Sequence, residues 1–276
     1  RDRMIIVVLA LMPCLLFGMY NTGYQNFLGS GMTEFPFWSV MAYGFLAILP
    51  RIIVTYVVGL GIEFVVAQWR KEEIQEGFLV TGILVPLICP IETPIWMLAV
   101  ATAFAVIFAK EVFGGTGYNV FNVALVTRAF LFFAYPASMS GDRAFISANP
   151  ICGLGGHVNF ADGVSGATPL GQVATTVGDK LHLTNIVGDP LSLWDAFLGL
   201  IPGSFGETST LCILIGAAIL LFTGIASWRV MLSVVAGGLF MGWIANLCQT
   251  PTYPASMLSP VEQLVFGGFA FAAVFM

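Results

Sequence analysis

The stretch Trp38–Trp69, WSVMAYGFLAILPRIIVTYVVGLGIEFVVAQW, decides the fold class. Only Arg51 and Glu63 in it are charged, and it exceeds the roughly 17–25 residues of one membrane-crossing helix. Pro50 and Arg51 interrupt it, so the expectation is one span from about Ile52, preceded by a separate helical or interfacial segment. Comparable apolar runs recur at Met4–Tyr20, Phe78–Pro90, Ile95–Phe108, Val120–Ala137, Ser209–Ile225, Val230–Leu247 and Leu264–Met276. The pair around Pro86, Pro90 and Pro94 is short for a crossing. It reads either as broken helices lining a site or as tilted helices in a locally thin bilayer. The expected fold is an all-α polytopic membrane protein of about eight apolar segments. It divides into a first transmembrane half, 1–138, a loop, 139–208, and the start of a second transmembrane half, 209–276.

Composition supports this. Hydrophobic residues make up 58% of the chain and charged residues 9%, against about 25% charged in soluble domains. The mean hydropathy is +0.92. A net charge of −5 with no basic stripe argues against a nucleic-acid partner. The five cysteines (14, 89, 152, 212 and 248) have no CxxC spacing and read as small hydrophobes. His157 and His182 have no ligand partners at metal-binding spacing, so no metal site is read. Met4–Tyr20 follows Arg1 and Arg3 like a signal peptide, but no small-residue cleavage site follows and more spans come later, so it is taken as a retained helix. The chain begins without an initiator Met and stops inside an apolar run, so it is expected to be part of a longer protein.

Lys and Arg assign the sides. One set of connections carries Arg1, Arg3, Arg70, Lys71, Lys110 and Arg229, and the other only Arg143 and Lys180 in the long loop. The positive-inside rule then puts the N-terminus in the cytoplasm and the loop on the opposite face.

Three places could carry chemistry. Glu63 is an acid inside a span, flanked by Gly59 and Gly61, which leave room for a flat ligand; a carboxyl simply paired near the interface is the competing reading. Arg128 lies in an apolar run and could snorkel or meet a backbone carbonyl, so it is assigned no role. The turn Gly114-Gly115-Thr116-Gly117-Tyr118-Asn119 precedes Asn122. Asn119 and Asn122 would share a helix face and could read the edge of a planar heterocycle, or the turn is an ordinary one with an Asn cap. The loop segment Asp162–Leu170 surrounds the Thr168 hydroxyl with small residues, a segment another enzyme could modify.

Longer words add specificity. Glu76–Thr81 (EGFLVT), Ala109–Gly117 (AKEVFGGTG), Arg128–Pro136 (RAFLFFAYP), Ser165–Thr168 (SGAT), Ile201–Ser204 with Gly206-Glu207, Gly224–Arg229 and Gly267–Phe271 occur in order along the whole chain. On these words the sequence resembles the B-subunit family of the bacterial sodium-translocating NADH:quinone oxidoreductases, with the related D subunits of Rnf complexes sharing the turn and the threonine word. The resemblance implies two inverted repeats of about five helices, as in urea channels, in the bacterial inner membrane.

It also implies a subunit that passes electrons from NADH toward ubiquinone in a sodium pump, beside other subunits, one of which bears another FMN. Thr168 would carry FMN through its phosphate, attached by a separate flavin transferase, within Ser165, Gly166 and Ala167. Riboflavin would lie at Asn119 and Asn122, and ubiquinone at Gly59 and Glu63. The family usually has Pro where this chain has Val123, and a second Gly where it has Leu60. An Rnf-type ferredoxin:NAD subunit and a urea-channel-like transporter are the alternatives.

Overall fold

The computed structural model describes residues 2–32, 34, 36–71, 77–139, 145–147, 166–176, 182–248 and 254–276. These form helices with no strand among the described residues; a lone bridge pairs Thr184 with Pro190. In chain order they are α1 Asp2–Gly29, α2 Phe37–Arg70, α3 Phe78–Ile88, α4 Ile95–Ala105, α5 Val123–Ala134, α6 Pro136–Met139, α7 Pro169–Thr175, α8 Leu193–Leu198, α9 Thr210–Phe222, α10 Trp228–Leu247, α11 Pro260–Phe266 and α12 Phe269–Phe275. Among the described residues, four apolar helical stretches are long enough to cross a membrane: Arg3–Gly29, Phe37–Arg70, Ile95–Phe113 and Trp228–Leu247.

α2 is one helix of 34 residues, not a span with a separate segment before it. Pro50 removes an amide donor, but the buried Arg51 donates to the Ala47 carbonyl at 2.6 Å, beside the gap Pro50 creates. A second guanidinium nitrogen bonds the Ile91 carbonyl, in the break between α3 and α4. Arg51 thus satisfies backbone at two irregular places. α3 ends before Pro90 and α4 starts after Pro94, as helices do around proline. α4 runs on through a π-helical turn, Val106–Lys110, and a 3₁₀ turn, Glu111–Phe113, which lengthens the short fourth run into a crossing.

The bundle is held by small residues inside and large ones outside. A Cβ on Gly23 or Gly44 would overlap the backbone of Val40 or Met19, so α1 and α2 approach to backbone contact. Trp38, Phe133 and Phe222 face outward, where lipid rather than water satisfies them. The main core gathers Leu11, Ile48, Leu87, Leu98, Leu131 and Phe271. Phe205 joins them from the coil between α8 and α9. Asn21 donates to the Ile201 carbonyl at 3.0 Å and the Gly206 amide to the Leu87 carbonyl at 2.8 Å, which anchors that coil on α1 and α3. This irregular backbone is stable because protein groups satisfy it.

Candidate functional site

Thr168 precedes α7 as its cap: extended backbone (φ −63°, ψ 156°) turns its hydroxyl oxygen to accept the Gly171 amide at 3.1 Å. Gln172 braces the segment, donating to the carbonyls of Ala167 and Thr184 at 3.2 and 2.8 Å and accepting the Thr184 amide at 2.9 Å. Gly166 is buried and Ala167 partly buried beside Thr168; Ser165 lies outside the described residues.

Thr168 lines a cleft of about 110 Å³ with Arg128, Ser204, Glu207, Thr208 and Gly268. Arg128 therefore does have a partner: its guanidinium donates to the Glu207 carboxylate at 2.5 Å. A cation in an apolar run needs such a partner, and both residues stand in the long words, but only folding brings positions so far apart together. Glu207 sits in the coil before α9. Burial pushes its carboxyl above the ordinary range, against the downward pull of Arg128 and of a Ser204 hydrogen bond. A Cβ on Gly268 would lie 2.5 Å from that carboxyl carbon, so the Gly267-Gly268 break between α11 and α12 lets Glu207 in. The Thr208 hydroxyl is buried with no partner among the described residues.

The second cluster joins α2 to the end of α4. Glu63 pairs with Lys110, both about 95% buried, and the Lys110 ammonium lies 6.0 Å from the Phe78 ring centre. The π-helical turn swings Lys110 inward, because its added residue rotates the chain beyond it about the helix axis. The second carboxyl oxygen of Glu63 has no partner among the described residues. The room expected at Gly59 is taken, because a Cβ there would overlap the Phe78 ring. Gly61 faces open space.

The glycine turn comes next along the chain. Gly114, Gly115 and Gly117 adopt φ of 114°, 92° and 94°, the left-handed region that other residues avoid. Thr116 packs on Gly77, where a Cβ would come within 2.6 Å of it. Asn119 and Asn122 do not share a helix face, because α5 begins only at Val123. Asn119 accepts the Gly117 amide at 3.2 Å and donates to the Phe121 carbonyl at 3.0 Å. Asn122 caps α5, accepting the amides of Ala124 and Leu125 at 2.9 and 3.4 Å. The cap wins because an Asn just before a helix satisfies donors that would otherwise be bare. Six residues on, about 9 Å along α5, stands Arg128, so one helix connects the turn to the Thr168 cleft.

The sequence profile described as the NQR2, RnfD, RnfE family matches residues 1–276. The B subunit of the Na(+)-translocating NADH-quinone reductase of Yersinia pestis is 40% identical over 304 aligned residues, covering 100% of this chain and 70% of that protein. The protein of the same name from Klebsiella pneumoniae strain 342 is 41% identical with the same coverage. That of Pseudomonas aeruginosa strain LESB58 is 40% identical over 298 residues, with 100% of this chain and 70% of that protein covered. With the match running from one end of the chain to the other, this all-helical protein belongs to the NQR2, RnfD, RnfE family.

Proposed function

We propose that this chain is the membrane electron-transfer B subunit of a sodium-translocating NADH:ubiquinone oxidoreductase, with Thr168 carrying FMN through a phosphoester. The observation that carries the reading is Thr168 on a cleft shared with Arg128, Glu207 and Thr208, in a chain about 40% identical throughout to proteins of that name. Flavin supplies the electron chemistry; the chain's residues hold and orient it. Riboflavin at the glycine turn draws on Asn119 and Asn122, flanked by the exposed rings of Tyr118 and Phe121. Ubiquinone beside Glu63 and Gly59 requires the Phe78 ring to move off Gly59.

The other pump subunits, including a second FMN-bearing one, supply electrons from NADH, and a flavin transferase matures Thr168. Sodium moves only if some site in the assembly changes sodium affinity or access with redox state. The Lys/Arg asymmetry supports an inner-membrane orientation with the N-terminus cytoplasmic and residues 139–208 periplasmic.

The test uses the complex produced with the transferase. On a denaturing gel the wild-type chain fluoresces and Thr168→Ala is dark. Thr168→Asn retains a good helix cap and is also dark, which separates lost attachment from lost folding. Fluorescence persisting in either variant moves the flavin to another residue. Quinone-dependent NADH oxidation by the wild-type complex separates this reading from an Rnf-type one within the same family.

A further inference from the structure

The cleft beside Thr168 is too small for a flavin. Pockets that take drug-sized ligands occupy about 300–1,000 Å³, whereas this one holds about 110 Å³. That is several times the roughly 30 Å³ share of a water molecule, enough for a phosphate group and not for a three-ring system. The polar groups around it suit an anion. The Arg128 side chain is 36% exposed and gives one nitrogen to Glu207, which leaves further N–H donors of its planar fork. The Thr208 hydroxyl, on a residue 4% exposed, is buried at the cleft without an acceptor among the described residues. A buried hydroxyl in that condition calls for a partner. Glu207, which lines the cleft as well, fixes the guanidinium through their ion pair, and Gly268 fits closely against Glu207.

We propose that this cleft is a phosphate seat, in which Arg128 holds the phosphodiester of the Thr168-linked flavin, joined by the Thr208 hydroxyl once it turns from its covered position toward the cleft, while the isoalloxazine lies outside. The inference rests on the reading that Thr168 bears the flavin, and it assigns Arg128 the role of a positioning residue that acts on the linker rather than on the ring. Glu207 acts through Arg128, neutralising its charge when no phosphate is present.

Inorganic phosphate is the probe, used on complexes carrying Thr168→Ala, in which no ester fills the seat. Phosphate at millimolar concentration should raise the unfolding midpoint by about 2–4 °C over chloride at equal ionic strength. The rise should vanish when Arg128→Gln and Glu207→Gln are added together, a pair of changes that leaves no charge stranded, and should shrink with Thr208→Val. No phosphate-specific rise in Thr168→Ala, or a rise that survives loss of Arg128 and Glu207, overturns the proposal. In-gel fluorescence read on the same Thr168→Ala material distinguishes the two failures: a persisting signal refutes the anchor and leaves the phosphate result to be judged by itself.

Discussion

Glu63–Lys110 and Glu207–Arg128 are both carboxylate–cation pairs inside a helical bundle, yet their surroundings differ. The first is sealed: both side chains are nearly fully buried, and Phe78 fills the space at Gly59 and lies near the ammonium. The second borders a cleft, with its arginine partly exposed and the Thr208 hydroxyl, which has no partner among the described residues, nearby. A sealed pair offers little to a ligand unless something moves. A pair on a cleft can take one as it stands. Two sites that look alike as isolated charges in apolar runs therefore differ in readiness, and the difference lies in what packs beside each charge.

The sharpest way to break the contrast is to remove one cation from each pair. Lys110→Met strands the Glu63 carboxylate and should destabilise the complex by about 3–5 kcal/mol, measured by thermal unfolding in detergent. Glu63→Gln combined with Lys110→Met should recover most of that loss, since neither charge is then left alone. Arg128→Gln should lose less, because the Glu207 it strands borders a cleft and its carboxyl, already raised by burial, can take up a proton. Equal losses at the two sites would mean that the first pair is not sealed.

The slot at Gly59 gives the next effect. Gly59→Ala forces a methyl into the Phe78 ring and should destabilise by about 1–3 kcal/mol, the usual range for overpacking. Phe78→Leu should relieve it. The same variants, assayed for the apparent KM of quinone, examine the quinone reading: if Phe78 gates the space, Phe78→Leu lowers that KM. An unchanged KM in Phe78→Leu, with Gly59→Ala destabilised as expected, would make the Phe78 contact purely structural.

The membrane character of this chain was legible because apolar length and scarce charge leave few other folds, and Trp38–Trp69 alone exceeds what a soluble helix would bury. The continuity of α2 was not legible, since Pro50 reads as a break until Arg51 is seen to satisfy the carbonyl nearby. From sequence Lys110 reads as lying outside the spans because the apolar run ends at Phe108; a π-helical turn, which periodicity does not reveal, carries it inward. Arg128 and Glu207 both stood in recognisable words, but 79 positions separate them and only packing shows that they are one unit. Thr168 as a place of interest came from the words around it, not from any property of a lone threonine.

Asn122 is the finest test, because there a structural role and a binding role coincide in one side chain. Its oxygen accepts two helix amides, and its amide nitrogen has no partner among the described residues. Asn122→Ala should destabilise α5 by about 1 kcal/mol through the lost cap, whatever the ligand. Asn122→Asp keeps an oxygen for the cap, and a negative charge at a helix start is favourable, so stability should hold within about 0.5 kcal/mol. It removes the amide donors. If those donors bind riboflavin, the Asp variant retains its unfolding midpoint and its covalent flavin but loses the non-covalent flavin released on denaturation. Retention of that flavin at the wild-type ratio would leave Asn122 as a cap alone and shift the riboflavin reading to Asn119 and the exposed rings beside it. Either outcome refines the contrast between the two pairs, because α5 starts at this residue and carries Arg128 to the cleft.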